Sequence, residues 1–433
     1  MTDGIIFIGA LIGLILLEVP VGAAMAAVGF AGIVYLSGLT SALGVLATSV
    51  YSSLSSYEMS VIPLFVLMGY FAFYAGLSQD LYRAGHIWLG RLRGGLAMGT
   101  VVGCAGFAAC CGSSVATGAT MAAVALPEMR KFGYDDRLST GSLAAGGTIG
   151  ILIPPSICFV VYGIITEQSI GKLFLAGIFP GLMEATSYIM TIHILCRLNP
   201  RLAQLRMPTV QITARERMRT LGGVWAVMLL FILVMGGIYG GIFTPTEAGA
   251  VGAFGALLVM TIKRKLTPHN FRGALFEAGQ TTAMVFFIFI GATIFGYLLA
   301  VSQLPMQVAA WIVSLPLDRY ATLGGILLIF IVLGCIMDTL AIILLVVPII
   351  FPAILELGFD PIWFGVIMVR ISEIGLITPP VGLNVYVIKG VAPDVSLSTI
   401  FRGVIPFLLA DIIAVGLLIA FPQISLFLPN LMK

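Results

Sequence analysis

Apolar runs of seventeen or more residues recur from Gly4 to Leu428, each parted from the next by a short polar break. A helix crossing the hydrocarbon of a bilayer needs roughly 20 apolar residues, so the chain holds material for about a dozen crossings. A membrane β-barrel is excluded, because its strands alternate polar and apolar residues along each ~10-residue segment, and the run from Ile326 to Val347 does not alternate. Only 9% of residues are charged and 60% are hydrophobic, whereas soluble domains carry about 25% charged residues. An ordinary water-soluble enzyme is therefore ruled out, and the expected fold is an all-α polytopic membrane protein. Met1-Thr2-Asp3-Gly4 has no basic stretch, so the first apolar run reads as a retained span rather than a signal peptide. The six cysteines (104, 110, 111, 158, 196 and 335) lack zinc-site spacing and read as small core residues.

Spans are expected near 4–17, 21–38, 58–76, 95–111, 114–130, 138–167, 173–197, 221–241, 244–262, 281–301, 320–336, 339–356, 361–389 and 401–421. The linker 198–220 and its edge carry Arg197, Arg201, Arg206, Arg215, Arg217 and Arg219 against one acid, Glu216. By the positive-inside rule this linker is cytoplasmic. Lys263-Arg264-Lys265, two spans on, is then cytoplasmic as well. If 95–111 with 114–130, and 320–336 with 339–356, are re-entrant hairpins, then Arg83, Arg91, Arg93, Arg130, Lys131 and Arg137 also fall inside. The base of the second hairpin, near Glu356 and Asp360, falls outside with Lys172, Arg319, Lys433 and both termini, while Arg370 stays in the membrane.

The chain also repeats itself. At one constant offset, Pro20 matches Pro245, Gly99 matches Gly324, Pro127 matches Pro352, Gly133 matches Gly358, Asp135 matches Asp360, and Pro154-Pro155 matches Pro379-Pro380. Because the two hairpin bases fall on opposite sides, the duplication is inverted, with repeats at 1–220 and 221–433. Inverted repeats give two faces that open alternately around one site, which is a transport architecture. Residues 95–167 with 320–389 are expected to form a moving transport domain, and the remainder a scaffold.

Irregular backbone survives in a membrane only where it lines a cavity or is buried in protein. Four such breaks occur in matched pairs: Cys111-Gly112-Ser113-Ser114 with Met337-Asp338-Thr339, and Ile153-Pro154-Pro155-Ser156 with Thr378-Pro379-Pro380-Val381-Gly382-Leu383-Asn384. A double proline removes two backbone donors and forces the helix to unwind. The separation of Ser113 from Pro154 equals that of Asp338 from Pro379, which brings each hairpin tip (112–114 and 337–339) beside the double proline of its own half. Carbonyls and hydroxyls there suit a hard cation, so one sodium site is expected in each half. Half-helix N-termini around the same cavity would favour an anionic substrate.

Arg370 and Glu373 are ionisable groups inside a span. They read either as a neutralising pair, with Asp338 as the other partner available to Arg370, or with Arg370 on a substrate carboxylate. Asp338 either ligates sodium or holds its tip. Glu184, Glu247 and Asp411 read as helix-end or packing residues, and His86, His193 and His269 share no metal-ligand pattern. The amphipathic stretches Gln79–Arg93 and Thr267–Gly279 read as interfacial helices, or as cradles for the moving domain.

Across nearly its whole length the sequence resembles the large membrane subunit of tripartite ATP-independent periplasmic (TRAP) transporters. The resemblance rests on Glu18-Val19-Pro20-Val21-Gly22, Gly112-Ser113-Ser114 with Ala116-Thr117, Pro127 to Gly133-Tyr134, Gly150 to Ser156, Thr244-Pro245-Thr246-Glu247-Ala248-Gly249-Ala250, and Thr378 to Asn384. It implies a bacterial cytoplasmic membrane location, an elevator mechanism, a small membrane partner of about four spans, and a periplasmic binding protein that delivers an organic acid such as a C4-dicarboxylate or sialic acid. It implies sodium around Ser113, Ser114, Pro154 and Ser156 in one half and Asp338, Thr339, Thr378, Gly382 and Asn384 in the other. Arg370, Glu373, Ser114, Pro155 and Pro380 are the residues expected around the substrate. No cofactor besides the coupling sodium is expected. Cys110-Cys111 before the tip and Val115 after it, where Pro is expected in many relatives, leave the substrate unassigned. Two other readings compete: a stand-alone sodium-coupled anion symporter of similar architecture, and an intramembrane serine protease using Ser113 or Ser114 with His193.

Overall fold

With no water to bond their backbones, apolar stretches satisfy N–H and C=O groups within helices, and every regular element among the described residues is helical. The computed structural model describes residues 2–90, 92–203 and 214–432. Arg91, Arg206, Lys433 and the middle of the linker at 198–220 lie outside the described residues, as do the side chains of Arg215, Glu216, Arg217 and Arg219.

The first half runs α1 (Thr2–Leu16), α2 (Val21–Ser37), α3 (Leu39–Ser55), α4 (Val61–Tyr74), α5 (Leu77–Leu89), α6 (Gly95–Cys111), α7 (Ser114–Lys131), α8 (Asp136–Leu152), α9 (Ile157–Thr166) and α10 (Ile170–Leu198). The second runs α11 (Ala214–Tyr239), α12 (Pro245–Ile262), α13 (Pro268–Ser302), α14 (Leu304–Val313), α15 (Arg319–Gly334), α16 (Thr339–Glu356), α17 (Pro361–Gly375), α18 (Leu383–Val391), α19 (Leu397–Ala420) and α20 (Gln423–Leu431). The repeat in sequence is a repeat of elements. The starts of α7 and α16 are related by the offset that relates the double prolines, and so are those of α8 and α17.

Among the described residues seven helices are long and apolar enough to cross a membrane, or eight if α8 and α9, bent by 42° at their break, count as one. The count falls below a dozen because α1, α2, α14 and the hairpin arms α6 and α15 are apolar but shorter than a full span.

Two sequence expectations need correction. Residues 39–55, unassigned from sequence, form α3. Their serines and threonines lower the hydropathy, but the hydroxyls fold back onto the helix, Ser41 donating to the Ser37 carbonyl (3.0 Å) and Thr48 to that of Gly44 (2.9 Å). The stretch Thr267–Gly279 is not a separate interfacial helix but the start of the 35-residue α13. Residues 138–167 divide into two helices at Pro154-Pro155, the break that the double proline demands. Glu247, expected at a helix end, closes a capping box on α12, where Thr244 N–H donates to its Oε2 at 2.8 Å.

Helix α13 lies along α2 and α4, α12 along α4, and α11 along α12, forming one packed group. The hairpins α6–α7 and α15–α16 and the broken pairs α8–α9 and α17–α18 form another, with α5 against α6 and α14 against α16. Each second half-helix crosses to the other repeat, α9 packing on α16 and α18 on α7.

Candidate functional site

The tips are built by local chain chemistry. Helix α6 stops at Cys111 because Gly112 enters the left-handed region (φ +64°). Ser113 then caps α7, its Oγ accepting from Ala116 N–H at 3.4 Å. A Cβ on Gly112 would lie 2.8 Å from the Pro155 carbonyl oxygen, so only glycine lets the tip sit against its double proline. Ser156 repeats the device for α9, accepting from Phe159 N–H at 3.4 Å. In the second half Asp338 occupies the N-cap position of α16, Cys335 Sγ lies 3.7 Å from the Pro379 carbonyl oxygen, and Gly382 (φ +64°) leads into α18. Both tips therefore adjoin their own breaks, as the matched spacing predicts. The Pro154-Pro155 and Pro379-Pro380 bonds are both cis.

Between the tips and the α4–α13 wall lies a cavity of about 620 Å³. The first turns of four helices border it: Ser114 to Ala116 of α7, Thr339 and Leu340 of α16, Ile157 and Cys158 of α9, and Leu383 of α18. Helix N-termini carry partial positive charge and free N–H groups, so this floor favours an anion. Tyr70, Glu277 and Thr281 border the opposite side. Behind the floor Glu373, 1% exposed, accepts from Thr339 Oγ1 at 2.7 Å and also neighbours the Ser114 hydroxyl. Ser114 and Thr339 are equivalent residues of the two repeats. The Asn384 amide is 1% exposed, yet neither its Oδ1 nor its Nδ2 has a partner among the described residues. Buried amides are normally bonded, and an unpartnered amide oxygen is a fitting ligand for a hard cation.

The sequence model described as "Tripartite ATP-independent periplasmic transporter, DctM component" matches residues 8–424. The chain belongs to this family. The "C4-dicarboxylate TRAP transporter large permease protein DctM" of Pseudomonas aeruginosa is 38% identical over 89% of each chain. The "Sialic acid TRAP transporter large permease protein SiaM" of Vibrio cholerae is 32% identical over 97% of each. The fold is shared with the solved YdaH transporter of Alcanivorax borkumensis, with a TM-score of 0.65 at 16% identity, covering 96% of this chain and 98% of that one. These relatives are permease subunits, so a protease reading has no support from them. His193 lies on an exposed stretch of α10, whereas Ser114 is buried.

Of the residues expected from sequence, this TRAP permease brings Ser113, Ser114, Asp338 and Thr339 to the cavity. Pro154, Ser156, Gly382 and Asn384 do not line it; Ser156 lies against the first tip beside Gly112, and Gly382 and Asn384 flank Leu383, which does line it. Thr378 spends its hydroxyl proton on the Ile374 carbonyl at 2.6 Å. Arg370, Glu373, Pro155 and Pro380 do not line the cavity. Arg370 pairs with neither Glu373 nor Asp338. Its Nη1 lies 2.8 Å from Glu184 Oε1, and its Nη2 bonds Asp411 and also reaches Tyr188 Oη at 3.4 Å. Glu184 and Asp411 are thus buried in mid-helix rather than at helix ends, at 1% and 0% exposure. Thr148 of α8 donates to Glu184 Oε1 at 2.9 Å and completes the cluster.

Sequence reasoning also missed Tyr70, Glu277 and Thr281. The hydroxyls of Tyr70 and Thr281 bond each other at 2.9 Å, and Tyr74 donates to Glu277 Oε1 at 2.8 Å. The one available signal was the polar pair Glu277 and Thr281, one turn apart on the same face as an apolar span begins.

Proposed function

We propose that this TRAP large permease subunit imports an organic acid across a bacterial cytoplasmic membrane by sodium-coupled, elevator-type alternating access. A periplasmic binding protein delivers the acid, and a small membrane subunit of about four spans braces the scaffold, with both termini periplasmic and the repeats inverted. The observation that carries this reading is the cavity at the paired tips, bordered by four helix N-termini on one side and the α4–α13 wall on the other. The floor meets the carboxylate, and the tip hydroxyls, Asp338 and the free amide oxygen of Asn384 meet sodium. The carboxylate class follows the substrates named for relatives, a C4-dicarboxylate and sialic acid.

The moving body in this reading is larger than the sequence suggests. Residues 95–167 and 320–389 carry the tips, but Arg370 of α17 is locked to Glu184 of α10 and Asp411 of α19. Separating them would leave unpaired charges in a dry interior. Helices α10 and α19 therefore travel with the hairpins rather than staying with the scaffold.

The test is the melting of the purified chain in sodium against equal potassium, with Ser114→Ala and Asp338→Ala alongside. A ligand that binds only the folded state adds RT ln(1 + [L]/Kd), ~2.7 kcal/mol at hundredfold excess over Kd. A sodium-specific rise that shrinks in both variants is expected; identical melting in the two salts would remove the sodium from the mechanism. Uptake by liposomes holding the chain with its small subunit and binding protein, and none when either is omitted, is the accompanying expectation.

A further inference from the structure

The wall facing the tips has a chemistry of its own. Glu277 and Thr281, one turn apart on α13, border the cavity together with Tyr70 of α4. Tyr74 donates to Oε1 of Glu277, which leaves Oε2 free to accept, and Glu277 forms no ion pair among the described residues. No lysine, arginine or histidine among the described residues lines this cavity. The one buried guanidinium among the described residues, Arg370, is enclosed by Glu184 and Asp411 and does not line it. The floor thus carries helix N-termini and one carboxylate, Asp338, which the sodium proposed beside it would offset, and the far wall is a carboxylate flanked by two hydroxyls with no cation assigned to it.

We propose that the acid carried by this protein is a monocarboxylate whose far end bears a hydroxyl or amino group, and that Glu277 selects that end and excludes a second carboxylate. This rests on the reading of the floor as the carboxylate site. A molecule lying across the cavity with its carboxylate on the helix N-termini brings its other end to Glu277, Tyr70 and Thr281. A hydroxyl or ammonium there donates to Glu277 Oε2. A second carboxylate would meet Glu277 with no lysine, arginine or histidine lining the cavity to separate them, in a cavity whose lining includes apolar side chains such as Val66, Phe107 and Met284, where like charges repel more strongly than in water. Sodium at the tips does not relieve this, because it sits on the floor beside Asp338.

The experiment compares three four-carbon probes in sodium on the purified full-length chain: succinate, 4-hydroxybutyrate and 4-aminobutyrate. They share one carboxylate and differ only at the far end. The concentration giving half-maximal thermal stabilisation is the readout, for wild type and Glu277→Gln. The expected result is that the hydroxy or amino probe acts at about tenfold lower concentration than succinate in wild type, and that Glu277→Gln closes the gap by strengthening succinate. Succinate acting as well as or better than both other probes on the wild-type chain overturns the inference alone, and needs no variant. An unchanged ratio in a Glu277→Gln chain that keeps its sodium-dependent melting overturns Glu277 as the selector. If none of the three stabilises the chain in sodium, the carboxylate site itself fails, and the inference falls with it.

Discussion

Arg370 is the largest buried charged side chain among the described residues, 1% exposed, and its two acids come from helices far away in sequence. Removing one partner of a buried ion pair typically costs ~3–5 kcal/mol, because the charges left behind have no water. Arg370→Met should therefore lower the melting temperature sharply, while the triple variant Arg370→Met, Glu184→Gln, Asp411→Asn should recover most of the loss; the melting curves of the two, side by side, check this. Nothing local in the sequence foretold these partners, since Glu184 belongs to the other repeat and Asp411 to a helix two further along the chain. The repeat held a faint clue, as Glu184 and Asp411 stand at nearly equivalent positions of the two halves. At the hairpin base Arg130 Nη2 donates to Asp394 Oδ2 at 2.7 Å, which holds the Asp394 carboxyl below its usual range. A depressed carboxyl contributes stability above its unfolded pKa of about 4 and loses it as pH falls through the lower folded value. The melting difference between wild type and Asp394→Asn should be small, fully present at neutral pH, begin to shrink near about pH 4, and be lost once pH has fallen through the lower folded value.

The breaks were legible because glycine, serine and double proline are conspicuous inside apolar runs, and their matched spacing named both tips and both unwound helices. What stayed hidden were elements whose local chemistry resembles something else. Helix α3 is left without an element by its lowered hydropathy, which the hydroxyls bonded to its own carbonyls explain. The polar start of α13 reads as interfacial, although it continues unbroken into a span and supplies Glu277 to the cavity. The two left-handed glycines of the breaks make separable predictions. Alanine in that region costs ~1–2 kcal/mol for the backbone alone. Gly112→Ala adds a contact of 2.8 Å with the rigid Pro155 carbonyl, whereas Gly382→Ala meets the Phe401 ring only at 3.2 Å. Gly112→Ala should therefore melt lower than Gly382→Ala and lose more of the sodium-dependent rise.

If the hairpins move as one body with α10 and α19, the sliding boundary runs where α4 meets that body. Phe65 of α4 and Phe174 of α10 touch across it, ring centroids 5.8 Å apart, while Phe179 of α10 and Phe427 of α20, a helix that packs along α10 and so would travel with it, lie 6.0 Å apart. In a cysteine-free background, bridging Phe65→Cys to Phe174→Cys with mercury should arrest uptake, with recovery on adding excess thiol. The same bridge between Phe179→Cys and Phe427→Cys should leave uptake intact. Arrest by both bridges, or by neither, would place the boundary elsewhere. Glu373 bears on how such a body handles its cargo. One carboxylate, without a counterpart at Thr148 in the other repeat, takes a hydrogen bond from one tip and adjoins the hydroxyl of the other. Two jaws hinged on the same pin do not open one at a time. On the proposed elevator reading, the hairpins are therefore ill suited to act as a pair of doors, one for each side of the membrane, and the cargo would be released when the compartment's facing wall changes rather than when a lid lifts.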